Sequence, residues 1–188
     1  GIGIENWDAF ENFKDALIAT NKFQSDPKRL HRMESKYFDI SLDIVPFGEI
    51  ESAEGTIIWP NDHKMVVSGF TEAYNSAIRV QLANDLQIQV ASPAGLALLK
   101  LVSWSDRQAS RDAEDFWLVA KHYLDLGNYE RIFAELSEFL EEDDYDDTIA
   151  GGILLGRDLK KILNQNTRTV FQSIFFDESN MERLAIAI

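Results

Sequence analysis

The segment Ser92–Trp117, SPAGLALLKLVSWSDRQASRDAEDFW, constrains this chain more than any other. Ser92 is a candidate N-cap, and Pro93 suits the first helical position, where the missing N–H costs nothing. Leu96, Leu98, Leu99, Leu101, Val102 and Trp104 then make the helix almost wholly apolar, with one lysine, Lys100, in its middle. A lysine in such a place loses solvation, so it must snorkel, find a carboxylate or hold an anion. The residues that follow carry Asp106, Arg107, Arg111, Asp112, Glu114 and Asp115, dense in both signs of charge. Candidate chemistry is therefore sought here first.

Composition bounds the rest. A chain of 188 residues, 45% of them hydrophobic and 11% aromatic, has enough apolar material for a real core. It contains no cysteine, which excludes disulfides, thiolate metal sites and cysteine nucleophiles. No apolar run reaches the roughly 18 residues of a membrane span. With neither a signal peptide nor an initiator methionine ahead of Gly1, the reading is a cytoplasmic protein trimmed at its N-terminus. The net charge of −14 opposes bulk binding to nucleic acid or anionic lipid, while leaving room for a local basic pocket that takes one nucleotide.

The order of elements predicts an α+β fold, strands first and helices later. Gly1–Ile4 reads as the tail of a strand. Asn6 or Asp8 then caps a helix with Trp7, Phe10, Lys14, Leu17 and Ile18 near one stripe. Residues 21–36 read mostly as loop, and Tyr37–Pro46 as a strand with Phe38, Ile40, Leu42 and Ile44 on one side. Short strands follow at Thr56–Trp59 and Met65–Val67, a short helix at Phe70–Ala77, and a hairpin over 78–91. Helices are expected at about 93–105, 110–125, 128–141, 147–164 and 167–176. The expected division is a sheet region at 1–91 and a helical region at 92–188.

Asp43 sits late on its strand, opposite the apolar side. A carboxylate there suits Mg²⁺ beside a phosphate, because a hard cation wants oxygen ligands on a rigid element. The simpler alternative is a polar residue on the wet face of an antiparallel strand. If the helix of Lys100 ran on unbroken, Arg107 and Arg111 would share its face and form a phosphate clamp. The alternative is a set of ion pairs with Asp112 and Asp115, Arg111 with Asp115 among them. The acidic run Glu141–Asp147 lacks the ligand spacing of a calcium loop and reads as a solvated cap. His31, His63 and His122 show no metal-ligand spacing, and there is no phosphate-binding glycine loop or hydrolase triad.

Several blocks together carry a resemblance: LDIVPFGEIES (42–52), the Trp59-Pro60 pair, VSGFTEA (67–73), SPAGLALLKLVSWSDR (92–107), RDAEDFW (111–117) and AGGILLGRDLKKIL (150–163). In their order they resemble bacterial predicted nucleotidyltransferases of the AbiEii/AbiGii-toxin-like branch of the polymerase-beta-type nucleotidyltransferase superfamily. The resemblance implies a nucleotidyltransferase-like mixed β-sheet in the N-terminal half with a helical C-terminal half. It implies Mg²⁺-dependent transfer of a nucleoside monophosphate from a nucleoside triphosphate to an acceptor, which could be RNA, a protein or a small molecule. By motif, Asp43 would hold the metal and Lys100 would contact the triphosphate. Asp112 or Asp115 would be the acidic residue of the helical motif, with Arg107 and Arg111 as supporting phosphate contacts.

The superfamily's Gly-Ser turn and the Asp-x-Asp pair that follows it do not precede the helix at 6–20; the opening GIGIENWDAFENF resembles what comes directly after them. The chain is thus read either as starting downstream of that pair or as a member that lacks it. The competing reading is a catalytically incomplete module of the same fold that binds a protein partner, an antitoxin-like protein.

Overall fold

The structure is a computed structural model that describes residues 6–141 and 146–188. The expected strand tail at Gly1–Ile4 and most of the acidic run lie outside these residues. The fold is α+β: helices α1–α8 and strands β1–β7 are found among the described residues, with small antiparallel sheets mainly in the N-terminal half and a helical C-terminal half. The chain divides into two compact units, Gly1–Thr71 and Glu72–Ile188. The hairpin over 78–90 therefore belongs to the second unit, with the helices.

The first unit begins with α1 (Trp7–Ala19), whose N-cap is Asn6: its side chain accepts the Ala9 N–H at 2.9 Å. Of the expected stripe, Phe10 and Lys14 are buried and Ile18 is exposed. Residues 21–36 are not a loop. They hold β1 (Phe23–Ser25) and β2 (Arg32–Ser35), which pair antiparallel, and β2 pairs in turn with β3 (Ser41–Asp43). The Asp26-Pro27 breaker is the turn between β1 and β2. These strands are polar because much of their surface is wet, which hides them from a reading based on apolar alternation.

The strand expected over Tyr37–Pro46 shrinks to β3 for a related reason. Ser35 Oγ accepts the N–H groups of Tyr37 and Phe38, and the Ser35 N–H bonds to the Ile40 carbonyl, so Tyr37–Asp39 form a hairpin tip. Phe38 is 71% exposed and Ile40 61%, and only Ile44 of the four expected inward residues is buried. Gly48 then takes a φ of +98°, a backbone conformation that glycine adopts without strain, as the chain turns after Phe47.

A second ribbon pairs β4 (Thr56–Ile58) with β5 (Lys64–Val66) around the turn at Pro60–Asp62. The core of this unit joins Phe10, Met33, Ile44, Ile57, Trp59 and Val67. Its centre is aromatic, with the ring centroids of Trp7, Phe10 and Trp59 lying 5.2–5.7 Å apart, mostly edge to face. Helix α2 (Phe70–Asn75) carries the boundary between the units.

In the second unit β6 (Ile78–Ala83) and β7 (Leu86–Val90) form the expected hairpin. Helix α3 (Pro93–Arg107) starts as the sequence predicts, with Ser92 Oγ accepting the Gly95 N–H at 3.0 Å. Ala97, Leu98, Leu101 and Trp104 are its buried face. Gly95 meets α2 so closely that a Cβ there would lie 3.1 Å from the Ala73 Cα.

Helices α4 (Ser110–Lys121), α6 (Asp147–Ile162), α7 (Gln165–Phe175) and α8 (Glu178–Ala187) complete the packing around α3. The expected helix at 128–141 is only α5 (Arg131–Glu135) and a 3-10 turn at Phe139–Glu141. A buried hydrogen bond from Thr167 Oγ1 to Glu72 Oε1, 2.7 Å long, ties α7 to α2.

A candidate site across a helix break

Helix α3 does not continue to Arg111. It ends at Gln108, which sits in left-handed backbone (φ +53°) and returns its N–H to the Trp104 carbonyl at 2.8 Å. Helix α4 then starts afresh at Ser110 and packs back against α3. The break falls between the two helices expected there, so the condition for a single face carrying Lys100, Arg107 and Arg111 is not met, and Arg111 belongs to the second helix.

The break brings most of the candidate residues together. Asp112, in the first turn of α4, is 2% exposed, and Arg107 holds it through both carboxylate oxygens: Nε to Oδ2 at 2.6 Å and an Nη to Oδ1 at 2.8 Å. Lys100 Nζ bonds to Asp115 Oδ2 at 2.5 Å and lies 3.7 Å from Asp112 Oδ1. Asp115 is therefore the partner of Lys100, and the expected pair of Arg111 with Asp115 is not made; Arg111 is exposed and forms no ion pair among the described residues.

The hydrogen bonds from Arg107 hold the Asp112 carboxyl below the ordinary carboxylate range against the opposing effect of burial, and the same contact raises the guanidinium. Two cations, Lys100 and Arg107, face the two carboxylates in this set. The side chain of Lys100 is 27% exposed and that of Arg107 61%, so both remain open to an anion from solvent.

Asp43 lies in the first unit, at the end of β3 as expected. Its cross-strand neighbour in register is Arg32, whose Nε and Nη2 each bond one carboxylate oxygen at 2.6 Å. That fork lowers the Asp43 carboxyl, again against burial. Arg32 was not legible as its partner, since the pairing follows from the register of two short strands. With both Asp43 oxygens engaged, and no group of three or more His, Cys, Asp or Glu side chains able to hold an ion among the described residues, these residues do not form a complete magnesium site.

A second polar network was also invisible in the sequence. Arg131 reaches Asp158 Oδ2 at 2.5 Å, Glu135 at 2.6 Å and the Asn128 side-chain Oδ1 at 2.8 Å, and the Tyr123 hydroxyl and Lys161 add bonds to Asp158. Burial pushes Asp158 up, but its three donors outweigh this and hold it well below the carboxylate range. Every member is engaged, so the network fastens α6 to the segment after α4.

The model of the family described as nucleotidyl transferase AbiEii toxin, Type IV TA system, matches residues 3–185. No curated protein and no solved structure matches the chain.

Proposed function

The chain belongs to the AbiEii nucleotidyl transferase toxin family of type IV toxin–antitoxin systems, and from that premise we propose that it transfers a nucleoside monophosphate from a nucleoside triphosphate to an acceptor, with release of pyrophosphate. The family match over nearly the whole chain is the observation that carries this reading. Lys100, Arg107 and Arg111 are proposed as the cations that meet the phosphates. Such a reaction asks the protein mainly for positioning and charge neutralisation, which cations on rigid helices supply. Asp115 sets the ammonium of Lys100, and the buried Asp112 fixes the guanidinium of Arg107, so both act as positioning carboxylates. Arg111, unpaired among the described residues, is the cation with the least to give up on binding.

Asp43 is proposed as the carboxylate of this chain that a Mg²⁺ ion would use if its fork with Arg32 opened. An antitoxin partner and a cytoplasmic setting complete the proposal; no helix among the described residues is long and apolar enough to cross a membrane. One observation favours the second reading, a module that binds a partner without turnover: both oxygens of Asp43 are taken by Arg32.

The test is a labelling assay with each of the four α-labelled nucleoside triphosphates, with and without Mg²⁺, on total RNA and on total protein. Label transfer from one nucleotide, lost in Lys100→Met, supports the reading. No transfer and no nucleotide-dependent change in melting temperature would leave only the binding module.

A further inference from the structure

We propose that the cleft between the turns 26–31 and 59–63 of the first unit is a binding site for a phosphate group carried by a small molecule. The cavity has a volume of about 300 Å³, and its lining includes Lys28, Arg29, His31, Trp59, Asn61 and His63. Among the described residues no carboxylate lines it, although the chain carries a net charge of −14. The neighbouring cavity of about 290 Å³ shows the contrast, since there Arg29 and Arg32 are matched by Glu34 and Asp39.

The inventory of groups is one of donors. Trp59 is 2% exposed, and its indole Nε1 is the buried side-chain nitrogen that has no hydrogen-bond partner among the described residues. An indole nitrogen can only donate, and because it is closed off from solvent an acceptor in the cleft would reach it only if the ring shifted. Arg29 spends its Nε on Asp26 at 2.7 Å and keeps its two Nη groups, while Lys28 forms no ion pair among the described residues. The Asn61 side-chain oxygen accepts the His63 N–H at 3.3 Å, which leaves its amide NH₂ to offer. Donors arriving from two turns suit a tetrahedral oxyanion, which only accepts.

Both turns are fixed before any ligand arrives. Asp26, itself buried, accepts the N–H groups of Lys28 and Arg29 at 2.8 and 3.2 Å. The other turn closes through the Asp62 N–H on the Trp59 carbonyl at 2.9 Å, with Asp62 in left-handed backbone (φ +62°). The charged groups acting on His31 are Asp43, Arg32, Arg29 and His63, three of them basic. Two imidazoles without a third ligand do not make a metal site. The Trp59 face is buried and its ring lies 5.7 Å from that of His31, so the site would read a phosphate rather than stack a base. The volume is at the small end for ligand sites, enough for a phosphate on a sugar-sized group. None of these residues belongs to the set proposed for nucleotidyl transfer.

The experiment follows the four tryptophan indole N–H resonances of the ¹⁵N-labelled full chain. Inorganic phosphate, AMP and adenosine are titrated at constant ionic strength, with chloride as control, and the Trp59 signal is identified by its loss in Trp59→Phe. The expected result is a saturable shift of that signal with phosphate and AMP and none with adenosine. Lys28→Gln and His63→Gln should each raise the Kd by about tenfold, one charge-assisted contact apiece. Tighter binding of AMP than of inorganic phosphate would identify a phosphomonoester as the ligand, and the reverse order free phosphate. No saturable shift, an equal response to chloride, or the same shift with adenosine would overturn the proposal.

Discussion

Arg107 closes on Asp112 across the Gln108 break, guanidinium to carboxylate at 2.6 and 2.8 Å, and so ties the last turn of α3 to the first turn of α4. The arrangement is asymmetric: the carboxylate is 2% exposed and the side chain of its partner 61%. Removing the arginine strands a buried charge, whereas removing the aspartate leaves a cation that water can solvate.

Arg107→Ala should therefore destabilise the protein by about 1–3 kcal/mol, the scale of a hydrogen bond to a charged group. Arg107→Ala combined with Asp112→Ala should cost less than the sum of the two single changes. Urea denaturation of the four proteins checks this, and strict additivity would show that the pair is not coupled.

The pH dependence follows from the same contact. The Asp112 carboxyl is lowered from its ordinary value of 3.8 in the folded state, so the unfolded chain binds its proton first on acidification. Its contribution is fully present above that ordinary value and is lost as pH falls through the lowered one. The stability gap between the parent chain and Asp112→Asn should be widest near neutral pH and narrow below about pH 4. A gap that stays constant down to pH 3 would assign the effect to packing.

Lys100→Met separates binding from folding. Its salt bridge to Asp115 is partly exposed, so the loss in stability should stay within about 1 kcal/mol. The rise in melting temperature on adding nucleoside triphosphate should fall sharply. An unchanged rise in the variant would remove Lys100 from the proposed site.

Gly95→Ala tests the close approach of α2 and α3. The added methyl would meet the Ala73 backbone at 3.1 Å, and a backbone neighbour yields poorly. A cost of about 1–3 kcal/mol is expected, in spite of the better helix propensity of alanine. Thermal denaturation showing equal or higher stability would mean that the helices separate freely.

The helical half was the more legible because its signals are local. Ser92 and Pro93 mark the start of α3, and the apolar spacing of Leu98 and Leu101 gives its buried face. A break between the helices expected at 93–105 and 110–125 was legible, but Gln108 as its pivot was not, since glutamine carries no preference for left-handed backbone. In the sheet region Phe38 and Ile40 suggested an inward face, yet Ser35 turns them out onto a hairpin tip. The partner of Asp43 could not be read, because Arg32 reaches it through strand register. His31 and His63 looked scattered for the same reason, and only the folding of two turns brings them to one cleft.

The reversal at Gln108 also changes what kind of object the charged run is. On one continuous helix, Asp106–Asp115 would be a painted stripe, each charge replaceable for any other of its sign. Folded back on itself, the run becomes a lock with an inner and an outer part. Asp112 is the inner part, held from the surface by Arg107, so the two change in concert, while Asp106, Arg111 and Glu114 stay on the outside and are free to drift without loosening the fold.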